Sequence, residues 1–395
     1  MKLTDWPRTL VVTQLAPPSH AASARVIERL IAGVESSFSF VHGDDGIDRT
    51  DYPAHCEAVR PRGVATVARS RLWRLEPLLW SRPAVRTGLA LLKRRPADVV
   101  VGWHPNLVFV AAAARVAAVR RLPFVLALCD LFVESRVNPV ERLWARRLEQ
   151  KLFKQAVAVV CLTEAMCDFY APRWGSKCHV IPHSLTSQEI ADAVARRPSL
   201  VARSPARITY AGGVYQARLD SLIAVKQAVD ELNASGVPVS LCILGKNDAA
   251  LLREMGLHGP YVEAKFVEDR TAYMDELRKA DLLLSTIAFQ SDYPLQDQTC
   301  FPTKTFDYFL AGKPVLVIAP SATSYAQYVQ RHACGVLVDS TDTNTVAAAI
   351  KALLSNPALR MALVASGFAQ SKANAQSVVQ PVLRSILKGI IDKQP

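Results

Sequence analysis

Apolar positions along this chain fall into two alternating patterns. Short runs rich in branched residues, such as TLVVTQLA (9–16), ADVVVGWHP (97–105), PFVLALCDLFVES (123–135) and VAVVCLT (157–163), have the length of buried strands. Between them, AASARVIERLIAGV (21–34), LVFVAAAARVAAVRR (107–121) and NPVERLWARRLEQKLFKQA (138–156) repeat apolar residues at helical spacing. The last of these offers Leu143, Leu148, Leu152 and Phe153 for burial. FSFVHG (38–43) and CHVIPHS (178–184) add strands, while 44–68 has weak periodicity and reads as loops and short pieces. RPSLVARSPAR (197–207), polar and Pro-containing, marks a linker. Beyond it the alternation restarts with RITYAGG (207–213), VSLCILGKND (239–248), DLLLSTI (281–287) and GVLVD (335–339), spaced by helical stretches. Parallel neighbours require long crossovers, and the helical spacers supply them. The fold class predicted is α/β, with two Rossmann-like, doubly wound parallel-sheet domains at 1–195 and 196–375. The remaining 376–395 hold a final helix, VVQPVLRSILKGII, with no strand after it.

Composition narrows this only in places. A chain of 395 residues exceeds the usual size of one core, and a half-apolar, one-fifth-charged composition excludes disorder. The net charge of +12 asks for an anionic partner: nucleic acid, an anionic membrane or a phosphorylated ligand. No nucleic-acid-binding motif accompanies the charge, so nucleic acid is not expected. Eight cysteines lie scattered without a C-x-x-C pair, so no metal is expected and free thiols in a reducing compartment are. Asp5 and Pro7 interrupt the first residues, which do not read as a signal peptide, and Arg115 interrupts the longest apolar candidate, 107–119. The expectation is a cytoplasmic protein with at most peripheral membrane contact. The stretch 69–95 bears on that contact, because Trp73 and Trp80 sit there among leucines, Arg69, Arg71, Arg74 and further basic residues. Such a sequence can lie on an anionic bilayer, or can form domain helices with a charged outer face.

The densest chemistry lies in CFPTKTFDYFLAGKPVLV (300–317). Pro302 fixes φ ahead of a turn, Thr303 is a fair N-cap, and Phe306, Phe309 and Leu310 form one apolar helix face. Gly312 suits the left-handed position that ends a helix, and Pro314 prevents its continuation. A helix N-terminus beside Lys304 favours an anion such as phosphate, and Asp307, a turn deeper, can accept from sugar hydroxyls. The same residues also fit a plain capped helix with Lys304 and Asp307 solvated. Elsewhere, Gly212-Gly213 after ITYA would let backbone N–H groups approach a diphosphate, with Arg218 matching its oxygens.

PTKTFDYFLAGKPVLV resembles the donor-nucleotide segment of family-4 retaining glycosyltransferases of the GT-B fold, the kind that builds cell-envelope polysaccharides. That segment usually reads P-x-K-x-x-E-Y-x-A-x-G-K-P-V-V. The resemblance implies that Asp307 stands for the Glu that holds the donor's ribose hydroxyls and Lys304 for a diphosphate contact, with Thr303 beside them. It implies that Gly245-Lys246 borders the nucleobase, and that CDLFVES brings Asp130 to the cleft to orient an acceptor hydroxyl or balance the donor sugar. A loop carboxylate or helix cap is the other reading of Asp130; His104 and His183 are more plainly structural. Two departures stand out: Cys129 replaces a His before Asp130, and Thr299 occupies the place of the first acid in the Glu-x7-Glu pattern. Asp292, Asp297 or Gln298 remain as donor-sugar contacts.

The family further implies two domains facing a central cleft, with the chain's end crossing back onto the first. It implies a front-side mechanism in which the departing diphosphate takes the acceptor's proton, with Lys304, Arg218 and the glycine amides stabilising its charge. The function expected is retaining transfer of a sugar from a nucleotide-diphosphate sugar to a glycan or polyprenyl-diphosphate-linked oligosaccharide, with no cofactor or metal. The alternatives are a nucleotide-sugar epimerase of the same fold and a non-catalytic nucleotide-sugar-binding scaffold.

Overall fold

A computed structural model describes residues 6–19, 22–43, 55–59 and 76–393. The chain divides into two compact units, Met1–Thr186 with Gln376–Pro395, and Ser187–Ala375. In the first, seven strands form one parallel sheet in the order β3-β2-β1-β4-β5-β6-β7. They are β1 Thr9–Val12, β2 Phe38–His42, β3 Cys56–Ala58, β4 Val99–Trp103, β5 Phe124–Leu128, β6 Ala158–Cys161 and β7 Cys178–Val180. Both faces of β4 and β5 are buried, which is why they read as continuous apolar runs. Asn106 and Asn138 start the helices Leu107–Arg120 and Pro139–Gln155, each side chain accepting from the second helical N–H at 2.9 Å. The last helix, Gln376–Ile391, belongs to this first unit. It buries Val379, Leu383 and Leu387 in the core, and Gln380 donates to Leu30 O at 3.1 Å and Ala32 O at 2.8 Å.

The second unit holds a six-stranded parallel sheet, β10-β9-β8-β11-β12-β13. Its strands are β8 Ala206–Ala211, β9 Val239–Leu244, β10 Val262–Lys265, β11 Leu282–Thr286, β12 Val315–Ile318 and β13 Val336–Val338. The polar segment 197–207 is not a linker. Its backbone is held within this unit: Lys313 Nζ donates to Ser199 O at 2.8 Å and Arg360 to Leu200 O at 3.1 Å. Buried cations satisfying its carbonyls explain how so polar a stretch is fixed. The helix Ser187–Ala195 also lies in the second unit, where Glu189 meets Arg270 at 3.5 Å, so the division falls at 186 rather than 195.

One helix fits the second of its two readings, and another departs from expectation. Glu76–Arg94 is one helix whose Ala84, Leu91 and Leu92 are buried and whose Trp80 ring lies 5.8 Å from Phe109. Its described apolar face, from Trp80 onward, is therefore committed to the core, the domain-helix reading; Arg69, Arg71, Trp73 and Arg74 lie outside the described residues. In Pro139–Gln155, Leu152 and Phe153 are buried as expected, but Leu143 is exposed. The inward stripe is Ala145, Glu149, Leu152 and Phe153. It includes an acid because Arg173 reaches Glu149 at 3.1 Å.

Candidate functional site

The site is built where β8, β9 and β11 end in the second unit. Gly212 leaves β8 with φ of 134°, a conformation open to glycine and strained for other residues. A β-carbon there would overlap the Lys304 ammonium, so the lysine side chain runs directly over the bare backbone of Gly212. Gly213 is exposed beside it, its carbonyl accepting from the Tyr210 hydroxyl at 2.9 Å. Gly245 closes β9 with no room for a side chain against Gly212 O. Asn247, which sequence reasoning passed over, locks the two loops together. Its Oδ1 accepts from Val214 N at 2.8 Å and its Nδ2 donates to Val214 O at 3.0 Å.

Lys304 opens the helix Lys304–Ala311. Thr303 does not cap it as expected: its backbone is already helical, its side chain makes no capping bond, and Thr305 N instead donates to Pro302 O at 2.9 Å. The far end behaves as read, with Gly312 at φ 68°. Phe306, Phe309 and Leu310 are buried, but the anchor is Tyr308, whose hydroxyl accepts from Ala211 N at 2.9 Å and donates to Leu284 O at 3.0 Å. One phenol thus ties the middle of this helix to the end of β8 and to the centre of β11, which holds Lys304, at the helix start, beside Gly212.

The Lys304 ammonium lies 5.2 Å from the Tyr210 ring centroid. Burial and the nearby Arg218 charge push this amine down to about 7, against a smaller opposing pull from Asp307. An amine partly dehydrated beside a fixed guanidinium is disfavoured in its charged form, and an anion between the two reverses the effect. Arg218 is held by a 2.7 Å bond to Thr286 O and flanked by Tyr215 at 5.7 Å. The loop after β11 is strapped to the helix Gln216–Ala234, which carries Arg218: Asp220 accepts from Phe289 N and Gln290 N at 2.8 and 2.9 Å, and Ser221 donates to Ile287 O at 2.8 Å.

Asp307 is held by a bidentate pair from Arg270, at 2.7 and 3.0 Å. No local signal pointed to Arg270, which opens a helix after β10. Within Pro294–Thr299, the Thr299 hydroxyl is turned to backbone, donating toward Leu295 O at 3.1 Å and Gln296 O at 3.3 Å. Asp292 and Gln298 are exposed, whereas Asp297 is buried. One of its carboxylate oxygens has no hydrogen-bond partner among the described residues. Burial raises its pKa, against Ser291 and the Arg218 charge. Lys246 is exposed, with its ammonium 5.4 Å from the ring of Phe266, itself exposed.

Asp130 lies in the first unit, just past β5 and half-buried. Around it Trp103 Nε1 donates to Cys129 Sγ at 2.9 Å, and Arg136 faces His104 Nε2 at 3.1 Å. Because arginine only donates, His104 Nε2 accepts, and burial with the Arg136 charge keeps the ring neutral. His104 is therefore a structural acceptor.

Residues 40–187 match the model of Glycosyltransferase Family 4, and residues 205–356 match that of Glycosyl transferases group 1. This chain belongs to the family-4 GT-B glycosyltransferases. Its fold is shared with solved structures. Sucrose-phosphate synthase from Thermosynechococcus elongatus superposes with a TM-score of 0.67 at 15% identity, over 98% of this chain and 99% of that one. HepE from Anabaena, in complex with UDP-glucose, gives 0.66 at 12% identity, over 96% and 99%. WaaG, a glycosyltransferase involved in lipopolysaccharide biosynthesis, gives 0.63 at 15% identity, over 96% and 99%. No curated protein matches the chain by sequence. Among the described residues of this glycosyltransferase, no single helix is long and apolar enough to cross a membrane.

Proposed function

We propose that this glycosyltransferase moves a sugar, with retention, from a nucleotide-diphosphate sugar to a glycan or polyprenyl-diphosphate-linked oligosaccharide in polysaccharide biosynthesis. The observation that carries the reading is the Lys304 ammonium lying over Gly212 within the field of Arg218. That is a dehydrated cationic seat with bare backbone on one side, matched to a diphosphate. In this reading Gly212-Gly213, Lys304 and Arg218 hold the diphosphate. Asp307, oriented by Arg270, and Thr303 meet the ribose, and Gly245-Lys246 with Phe266 border the base. Asp297 takes the sugar contact that Thr299 cannot make, since its second oxygen is unspent. Asp130, from the first unit, orients the acceptor hydroxyl.

The chemistry proposed is a front-side displacement. The acceptor oxygen bonds to the anomeric carbon, the bond from that carbon to the diphosphate oxygen breaks, and the acceptor's proton passes to the departing diphosphate. Lys304 and Arg218 stabilise the charge that develops there. No protein nucleophile is needed. A lipid-linked acceptor places the enzyme at the cytoplasmic face of an anionic membrane, as a peripheral protein.

The test is incubation with a panel of nucleotide sugars, UDP-glucose first because a structural neighbour binds it, with and without polyprenyl-diphosphate-linked acceptors. The expected product is a new glycoside with the donor's anomeric configuration, read by NMR. An inverted product would overturn retention. A nucleotide-sugar epimer formed without acceptor would replace the reading with an epimerase, and binding without turnover would replace it with a scaffold.

A further inference from the structure

The helix Pro139–Gln155 carries an outer face that its fold does not require. Its inward stripe, Ala145, Glu149, Leu152 and Phe153, fixes the direction of the core. Opposite that stripe, at i, i+3, i+4, i+7, i+11 and i+14, stand Val140, Leu143, Trp144, Arg147, Lys151 and Lys154. All six are exposed, Val140 at 64%, Leu143 at 53% and Trp144 at 40%. Three large apolar side chains therefore face outward in the first turns and three cations in the last, with Glu141 and Gln150 at the margins.

We infer that this face docks flat on an anionic lipid bilayer, Val140, Leu143 and Trp144 entering the headgroup boundary and Arg147, Lys151 and Lys154 meeting lipid phosphates. Apolar side chains and cations sharing one helix face are what an interfacial helix needs. A second copy of the chain is a poor occupant, because a two-fold contact on this face would set the three cations either against their counterparts or against Val140, Leu143 and Trp144, with no carboxylate on the face to meet them. A nucleic acid would use the cations and leave the leucine and tryptophan unexplained. The inference rests on the membrane setting proposed above and assigns it a surface other than the 69–95 stretch, whose described apolar face is spent on the core.

Co-sedimentation of the full chain with phosphatidylcholine vesicles, with and without phosphatidylglycerol, tests this without donor or acceptor. Wild type is expected to bind the anionic vesicles, and less so as salt rises. The variant Arg147→Gln/Lys151→Gln/Lys154→Gln should bind about a hundredfold more weakly, at about fivefold per cation. Leu143→Ser/Trp144→Ser should bind at least about tenfold more weakly, since apolar burial is lost. All five positions are exposed, so unchanged circular dichroism and Tm are expected of both variants. Wild type failing to bind would defeat the membrane setting and this inference together. Wild type binding with either variant unchanged would defeat this inference alone. Neither result touches the transfer chemistry, which the NMR assay reads separately.

Discussion

Numbered from its own first strand, each sheet runs 3-2-1-4-5-6, the first unit adding a seventh strand at its edge. In both, the loop leaving the first strand lies against the end of the second. Thr13 N donates to Val41 O at 3.0 Å in one unit, and Gly212 N donates to Leu244 O at 2.8 Å in the other. In both, a glycine succeeds the second strand because that loop leaves no space for a side chain. A β-carbon on Gly43 would stand 2.9 Å from Gln14 O, and one on Gly245 would overlap Gly212 O. Gly43 and Gly245 are thus counterparts, spacers of a repeated architecture. The residues leaving the first strand differ: Thr13-Gln14 in one unit, Gly212-Gly213 under Lys304 in the other. The repeated feature reports on folding, and the unrepeated one on chemistry.

The sharpest way to break this comparison is to remove the unrepeated cation. Lys304→Met should lower kcat/KM by about 10²- to 10³-fold, the usual cost of losing one preorganised stabilising group, while leaving the fold intact. Initial rates within about threefold of wild type would place the diphosphate elsewhere. Next in size are the counterparts: Gly43→Ala and Gly245→Ala should each lose about 1–3 kcal/mol, because backbone must shift to admit a methyl group. Calorimetry should show similar falls in Tm. A Gly245→Ala protein with unchanged Tm and weakened donor binding would show that Gly245 is not a spacer.

The smallest effect is a pH dependence. The Lys304 amine is pushed down to about 7 in the folded chain, against an ordinary value of 10.5. Between those values the unfolded chain holds a proton that the folded chain lacks, so this group makes stability rise with pH across that window. Below about 7 both states are protonated and the folded state keeps the full penalty. Partial solvent exposure reduces its size. Comparing the Tm of wild type and Lys304→Met at about pH 6 and about pH 9 isolates it: the wild-type rise should exceed that of the variant. Bound diphosphate should reverse the trend, with protons taken up on binding near neutral pH.

Much of the site was legible because it is local. Pro302, Lys304, Gly312 and Pro314 act within two helical turns, and spacing alone places the lysine at a helix start after a turn. Asp307 was legible as an acid one turn into that helix but not as the partner of Arg270, which is 37 residues away. Asn247 and Tyr308 are ordinary residues in the chain and become structural pins only when three strand ends meet. In Pro139–Gln155 the leucines suggested an inward Leu143, whereas the helix turned Glu149 inward instead. Periodicity ranks an acid as solvent-seeking and does not see that Arg173, on another helix, meets it.

Alternation of strand-length and helix-length patterns was enough, by itself, to require two parallel sheets with helical crossovers, and the Pro-Thr-Lys spacing to set a lysine at a helix start in the second. These follow from backbone hydrogen bonding and side-chain period, which act over a few residues. Tertiary structure alone decided that residues 187–207 join the second unit and that Asp297, rather than its neighbours, is the buried acid. It also decided that a lysine is laid over a bare glycine. Each of those depends on which distant group arrives to satisfy a polar atom or fill a space, and that information exists only once the strands are side by side.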